Sequence, residues 1–215
     1  VGATAVIALG MFTSWGTHRL TLGALVGALA AAALVYLISM AQGGMTPLRL
    51  VLSGVVLSSA FSALASFLVF RSPDPRAAQS VLFWMLGSVA GATWDSLWVA
   101  ALVTVVIAVL MIAFSGWLDA LAAGTDVARS LGIPDTRVRK ALFVGNSVLV
   151  GVLVAVSGGI GFVGLVIPHM ARLLVGASHR SMLPIAAAVG SLFLLWVDVG
   201  ARVLAAPRAL PGGGV

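Results

Sequence analysis

Long apolar runs dominate this sequence and limit what the chain can fold into. An α-helix needs about 20 apolar residues to cross a bilayer, and four runs reach that length, at residues 20–41, 48–70, 94–114 and 181–206. Barrel strands would alternate apolar and polar residues, and these runs do not. Only 8% of the 215 residues are charged, against about 25% in a soluble domain. The sequence therefore predicts an all-α fold, a polytopic transmembrane helical bundle.

Shorter apolar runs add to this bundle, at residues 1–15, 141–157 and 165–176. They bring the prediction to about seven spans or partial spans. Residues 81–93 are too few to cross a bilayer at about 1.5 Å per residue, so we expect a re-entrant or interfacial helix there. Residues 157–164 are rich in glycine and should bend or break the helix that enters them. Both ends of the chain look cut, and we expect a fragment of a longer protein.

Small side chains recur at every fourth position in two of the runs. The run at residues 20–41 carries Gly23, Gly27 and Ala31. The run at residues 48–70 carries Ser58, Ser62 and Ser66. Such faces allow a neighbouring helix to approach closely, and a serine row can also line a wet path. The sequence leaves both interpretations of the serine row open.

A single polar segment, residues 115–140, interrupts the apolar pattern. It holds seven of the eighteen Asp, Arg and Lys residues, namely Asp119, Asp126, Arg129, Asp135, Arg137, Arg139 and Lys140. Because apolar runs flank it on both sides, this polar segment must lie in water on one side of the membrane. Positive residues cluster there beside a span end, which by the positive-inside rule favours the cytoplasmic side.

The polar segment is predicted to fold into two short helices. Leu118, Leu121 and Ala122 have the spacing of an amphipathic helix, which Gly124 should end. A second helix would then begin with Thr125 as its N-cap residue and Asp126 in its first turn. Gly132 has the position of a C′ residue, and Pro134 prevents continuation. The segment is either a solvated connection or a docking surface for a soluble partner.

The remaining polar groups inside the runs point to no catalysis. Asp198 and Arg202 are spaced i, i+4, so they either neutralise each other or leave Arg202 to meet an acidic partner outside. His169 is better explained as a packed or interfacial residue than as a metal ligand. The Gly-x4-Gly-Lys-Ser/Thr pattern of ATP-binding P-loops does not occur. We therefore expect no catalytic residue, metal or cofactor in this chain.

Several separated motifs resemble one family. The stretch SGGIGFVGLVIPHMARLLVGASHRSMLP at residues 157–184 is similar to the signature of permease subunits of type II ABC importers for iron–siderophores, haem and cobalamin. The resemblance continues through VLFWMLGSVAGATW at residues 81–94, the polar segment, and LLWVDVGARVLAAPRALPGG at residues 194–213. The usual motif before the final span breaks off at Gly213, Gly214 and Val215.

The resemblance implies a fold and a set of partners. Permeases of this family have ten spans, and residues 1–215 would form a single permease domain that covers about the third to the ninth. They work as dimers of identical or paralogous permeases. Their partners are cytoplasmic ABC ATPase subunits, which hydrolyse ATP, and a periplasmic or lipid-anchored substrate-binding protein. The chain itself would not be an enzyme, and its place would be the cell membrane of a bacterium or archaeon.

The resemblance also implies site residues. The family couples to its ATPase through a short helix with an Ala-x3-Gly pattern, which here involves Asp126, Ala128, Arg129, Leu131 and Gly132. The translocation path would be lined by Ser58, Ser62 and Ser66. The cytoplasmic gate would include Gly44, Met45 and Thr46. Arg202 would meet the substrate-binding protein. The structural motif of the family would include Gly161, Gly164, Pro168, His169 and Arg172.

Two other functions remain open at this point. An ion-coupled secondary transporter would need an intramembrane carboxylate beside a broken helix, and Asp198 is the deep candidate. A structural membrane subunit that transports nothing is the other. The carried substrate is not encoded in any motif that we can identify.

Overall fold

The computed structural model describes residues 17–41, 46–71, 87, 94–160 and 163–205. All regular structure in these ranges is α-helical, as predicted. In chain order the helices are α1 (Thr17–Ala41), α2 (Pro47–Arg71), α3 (Trp94–Ala113), α4 (Ser115–Ala123), α5 (Thr125–Ser130), α6 (Asp135–Ser157), α7 (Val163–Val175) and α8 (His179–Ala205).

Within the described residues, four helices are long and apolar enough to cross a membrane, namely α1, α2, α6 and α8. A fifth candidate is the pair α3 and α4, which meet at an angle of 64°. Between 6% and 17% of each of the four candidate spans is buried inside the chain. Most of their apolar surface therefore has to be covered by lipid or by other protein segments. The predicted number of about seven spans includes residues outside the described ranges.

Several helices extend beyond the apolar runs that predicted them. The helix that contains the apolar run at residues 20–41 begins at Thr17, and the helix that contains the run at residues 181–206 begins at His179. Residues 135–140, assigned to the polar segment, form the first turns of α6. The reason is that hydropathy marks where a helix leaves the apolar core, whereas the backbone hydrogen bonds continue into the polar region.

The start of α2 shows why one helix begins where it does. Pro47 is the first helical residue, a position where its missing N–H costs nothing. Thr46 precedes it as the N-cap residue, and its Oγ1 accepts a hydrogen bond of 3.4 Å from the backbone N–H of Arg49. A polar side chain thus satisfies an N–H group that the helix cannot satisfy itself.

The chain divides into two compact units. The first comprises residues 1–104 and 136–160, and its packing relies on small residues. Ala24 of α1 is fully buried beside Ala28, Val154 and Ala155. A Cβ on Gly151 of α6 would lie 3.1 Å from Leu25 Cδ1. Gly27 of the predicted ridge at Gly23, Gly27 and Ala31 is also buried. Small residues of α1, from the ridge and beside it, therefore allow the close approach.

Gly87 approaches the end of α6 in the same unit. Its φ is +73°, and a Cβ there would lie 2.7 Å from the carbonyl oxygen of Gly159. Gly158, directly after α6, also has a positive φ of 70°. The predicted break at residues 157–164 is confirmed where the structure describes it, because α6 ends at Ser157.

The second unit comprises residues 105–135 and 161–215. In this unit α8 packs against α7 and α4, and α4 packs against α5. Ile167 of α7 is buried and faces Gly190 of α8, where a Cβ would lie 3.5 Å from the Ile167 side chain. A glycine on α8 thus accommodates the branched side chain on α7.

Candidate functional site

The polar segment begins with a sharp turn out of α3. Helix α4 follows Phe114, whose backbone oxygen accepts hydrogen bonds from the N–H groups of Trp117 (3.0 Å) and Leu118 (3.2 Å). The Phe114 and Trp117 rings lie 5.2 Å apart between centroids. Ser115 and Ala120 are buried. The predicted first helix of the polar segment is therefore present, and one of its faces is packed against the protein.

Gly124 separates α4 from α5. Its φ and ψ are 131° and 159°, a backbone conformation that glycine adopts readily and that is strained for residues with a side chain. Gly124 occupies the N-cap position of α5, and its backbone oxygen accepts the N–H of Ala128 at 3.1 Å. The prediction that Thr125 is the N-cap residue is therefore wrong. Thr125 is the first helical residue, and Asp126 lies in the first turn, where a negative charge favours the helix dipole.

Gly132 closes the other end of α5 in a Schellman motif. Its φ is +74°, and its N–H donates to the Arg129 oxygen at 2.9 Å. The next N–H, that of Ile133, donates to the Ala128 oxygen at 3.0 Å. These two hydrogen bonds define the motif and require a left-handed residue at C′. The prediction that Gly132 is the C′ residue is confirmed.

An ion pair connects the two sides of this turn. Arg129, at the end of α5, donates from Nε to Asp135 Oδ1 at 3.5 Å and from Nη2 to Oδ2 at 3.3 Å. Asp135 is the first residue of α6, so its charge also lies at a helix N-terminus. The bidentate pair and the Schellman motif together fix Asp135 relative to α5.

We expect the Arg129–Asp135 pair to add little stability, because 63% of the arginine side chain is exposed. Exposed pairs typically contribute about 0–1 kcal/mol. Arg129→Ala should therefore lower the unfolding free energy of the complete protein by less than about 1 kcal/mol, and 1 M salt should reduce the difference further. Arg137→Ala, at an exposed arginine two residues after Asp135, is the control. Thermal unfolding in detergent measures both, and a large loss specific to Arg129→Ala would contradict this expectation.

The five residues predicted for ATPase coupling all lie in α5 or in the turn directly after it, and they differ in exposure. Ala128 is fully buried, whereas Leu131 is 65% exposed. Asp126 and Arg129 are also exposed, as is Gly132. The small side chain of Ala128 therefore serves packing within the chain rather than forming part of an exposed small face. Val127 and Leu131 supply the apolar part of the exposed surface.

The Asp119 carboxylate of α4 forms contacts that the sequence did not predict. The backbone N–H of His179, the first residue of α8, donates to Asp119 Oδ1 at 2.9 Å. His179 Nδ1 lies 2.5 Å from the same oxygen, and Ser178 Oγ donates to Oδ2 at 3.5 Å. We call these contacts of Asp119 with Ser178 and His179 the α4–α8 clamp.

Hydrogen bonding in the clamp also sets the charge of Asp119. The backbone N–H of His179, followed by its side chain, holds the pKa of Asp119 below its ordinary value of 3.8. A carboxyl with a lowered folded-state pKa stabilises the fold above its unfolded pKa, and this contribution is lost as pH falls through the folded-state value. The Asp119 carboxyl is therefore ionised at neutral pH and can accept these hydrogen bonds as a carboxylate.

The predicted path and gate residues lie on or next to α2. Ser58 and Ser62 are half-buried and Ser66 is exposed, at four-residue spacing along this helix. The buried serine of α2 is instead Ser53, whose hydroxyl has no partner among the described residues. Of the predicted gate, Thr46 is the N-cap residue of α2, while Gly44 and Met45 lie outside the described residues.

The predicted structural motif and docking residue lie near and in α7 and α8. Gly164, Pro168, His169 and Arg172 are all in α7. His169 and Arg172 are three residues apart, and both are exposed on the surface of this chain. Gly161 and the side chain of Arg202 lie outside the described part of the chain. Asp198 is in α8, four residues before Arg202.

The chain is similar to several transport proteins of known assignment. It is 36% identical over 201 residues to the iron(3+)-hydroxamate import system permease protein FhuG of Bacillus subtilis, covering 93% of this chain and 59% of that protein. It is 36% identical over 205 residues to the cobalamin import system permease protein BtuC of Halobacterium salinarum, covering 95% of this chain and 54% of that protein. It thus spans little more than half the length of these relatives.

A solved structure shares the fold. It is described as an inward-facing conformation of a metal-chelate type ABC transporter, and it superposes with a TM-score of 0.86 at 33% identity, covering 94% of this chain and 65% of that one. The family model of the FecCD transport family matches residues 1–215. The chain belongs to the FecCD transport family.

Proposed function

We propose that this chain is the membrane-spanning part of an ABC importer that moves an iron–siderophore, haem or cobalamin-type ligand into the cytoplasm. The observation that carries the proposal is family membership over the whole chain, together with relatives that are import permeases. The apolar helices support a multi-pass position in the cell membrane of a bacterium or archaeon. Residues 1–215 would belong to one permease domain, and a second permease subunit, identical or paralogous, would complete the pathway.

The polar segment would be the contact with cytoplasmic ATPase subunits. Its short helix α5 is closed at both ends by glycines with positive φ and is bound to α6 by the Arg129–Asp135 pair. Such a helix can transmit a displacement because its ends are held by hydrogen bonds. The exposed Asp126, Val127, Arg129 and Leu131 would form the contact surface. Apolar groups surrounded by charges are typical of such interfaces.

The other site assignments follow from the same proposal. The half-buried Ser58 and Ser62, with Ser66, would line the translocation path, and Gly44, Met45 and Thr46 would form the gate at its cytoplasmic end. Arg202 would pair with an acidic group of the substrate-binding protein. Gly161, Gly164, Pro168, His169 and Arg172 would shape the short helix α7. ATP hydrolysis would occur in the partner, so that this chain is not an enzyme.

Reconstitution tests the proposal directly. The complete protein should co-purify with an ABC ATPase encoded beside it, and the pair in proteoliposomes should import a ferric siderophore, haem or cobalamin when ATP and a binding protein are supplied. Uptake driven by an ion gradient without ATP would indicate a secondary transporter. Complex formation without uptake of any of these ligands, or of other metal chelates, would leave a structural subunit as the better explanation.

Leu131→Asp should weaken ATPase capture by about tenfold or more, because it places a charge in the centre of the exposed apolar surface. Its side chain is 65% exposed, so folding of the variant should be unaffected. Leu131→Met, which keeps the apolar area, is the matched control. Co-purification of the ATPase with each variant at equal membrane expression measures the effect. Equal capture by both variants would remove Leu131 from the interface.

A further inference from the structure

We propose that Asp119 is a positioning residue for coupling: through the α4–α8 clamp it makes the start of α8 move together with the polar segment. This inference rests on the proposed function. Helix α4 belongs to the polar segment, whereas α8 is a helix of 27 residues that contains a candidate membrane span of 22 residues. A displacement of the polar segment by an ATPase would otherwise reach the spans through its covalent connections to α3 and α6. The clamp adds a third connection, to a helix about 60 residues away in sequence.

The chemistry of the clamp explains why a carboxylate stands at this position. The first backbone N–H groups of a helix have no partner within the helix. A local N-cap side chain accepts the N–H of the second or third helical residue, so the N–H of the first residue is usually left to water. At α8 this first residue is His179, and its N–H donates to Asp119 Oδ1. Ser178 directly precedes α8, and its hydroxyl donates to Asp119 Oδ2. The negative charge also lies at the positive end of the α8 dipole.

The packing around the clamp makes it suited to transmit motion. His179 is half-buried, and Ala120 and Met182, the residues next to the clamp on α4 and α8, are both buried. The turn is further held by the backbone, because the N–H of Met182 donates to the Ser178 oxygen at 2.9 Å. Apolar contact alone would let α4 slide along α8, whereas hydrogen bonds to one carboxylate fix the register of the two helices.

The test uses the complete protein with its ATPase and binding protein in proteoliposomes. Asp119→Ala removes all the acceptors of the clamp, and Asp119→Asn keeps one acceptor oxygen for the His179 N–H. Ser181→Ala is the matched control, because Ser181 lies in the same turn but its hydroxyl does not contact Asp119. For each variant the uptake of ligand, the rate of ATP hydrolysis and the thermal unfolding midpoint are measured.

We expect Asp119→Ala to reduce the amount of ligand imported per ATP hydrolysed by about tenfold while ATP hydrolysis continues. Asp119→Asn should recover part of this ratio, and Ser181→Ala should match the wild type. If uptake and hydrolysis fall in proportion and the unfolding midpoint falls with them, Asp119 has a structural role only and the inference is wrong. An unchanged ratio in Asp119→Ala overturns it as well. Failure of the proposed function would be seen differently, as absence of ATP-driven uptake by the wild type.

Discussion

Gly132→Val is expected to abolish productive coupling while leaving the protein in the membrane. Gly132 has a φ of +74° and forms the C′ position of the Schellman motif. A β-branched residue in the left-handed region costs about 1–2 kcal/mol, and loss of the two closing hydrogen bonds costs about 1 kcal/mol each. Because the hydrogen bonds are lost only when the turn opens to escape the strain, the strain of about 1–2 kcal/mol alone lowers the population of the closed turn, by a factor of about 5–30. ATP-driven import by the complete protein should fall accordingly.

The backbone, and not the available space, causes this effect. A Cβ on Gly132 would meet no atom within 4 Å, so overlap with neighbouring atoms is not the reason. Gly132→Asn is therefore the matched variant, since asparagine adopts positive φ more readily than other residues with a side chain. We expect Asn to retain most of the import activity and Val to lose it, at equal amounts in the membrane. Wild-type import by the valine variant would show that the turn at Gly132 is not part of the coupling path.

The two ends of α5 show what local sequence rules can and cannot predict. Gly132 was predicted correctly because a C′ glycine followed closely by proline is a strong local signal. Thr125 was predicted as the N-cap residue because threonine is common there, but Gly124 allows a backbone turn that moves the cap one residue earlier. The burial of Ala128 has no signal in a helix of six residues, because so short an element has no clear periodicity.

The α4–α8 clamp could not be predicted from local patterns at all. Asp119 and His179 are 60 residues apart, and each looks like an ordinary polar residue at the end of a hydrophobic segment. Similarly, the contact between Gly87 and Gly159 joins two segments that lie far apart in the sequence. Apolar runs and family motifs predicted the helices and the membrane fold, because those signals are local or shared with relatives. Pairs that form between distant segments depend on the packed structure.

Gly87→Ala is expected to destabilise the first unit strongly. The new Cβ would lie 2.7 Å from the carbonyl oxygen of Gly159 and 3.1 Å from its carbonyl carbon. Both are backbone atoms, so a side-chain rotation cannot relieve the overlap. Overpacking of this kind costs about 1–3 kcal/mol, and the positive φ of Gly87 adds about 1–2 kcal/mol. The thermal unfolding midpoint of the complete protein should fall by about 5–15 °C.

Two further variants separate the causes of this loss. Gly54→Ala, in the middle of α2, meets no atom within 4 Å and has an ordinary helical backbone, so it should leave the midpoint unchanged or raise it slightly. Gly87→Asn tolerates the positive φ but places a Cβ at the same 2.7 Å from the Gly159 oxygen. If overlap dominates, Asn and Ala at position 87 should destabilise alike; if the backbone dominates, Asn should be milder. A midpoint unaffected by either change would mean that Gly87 and the end of α6 are not in contact in the complete protein.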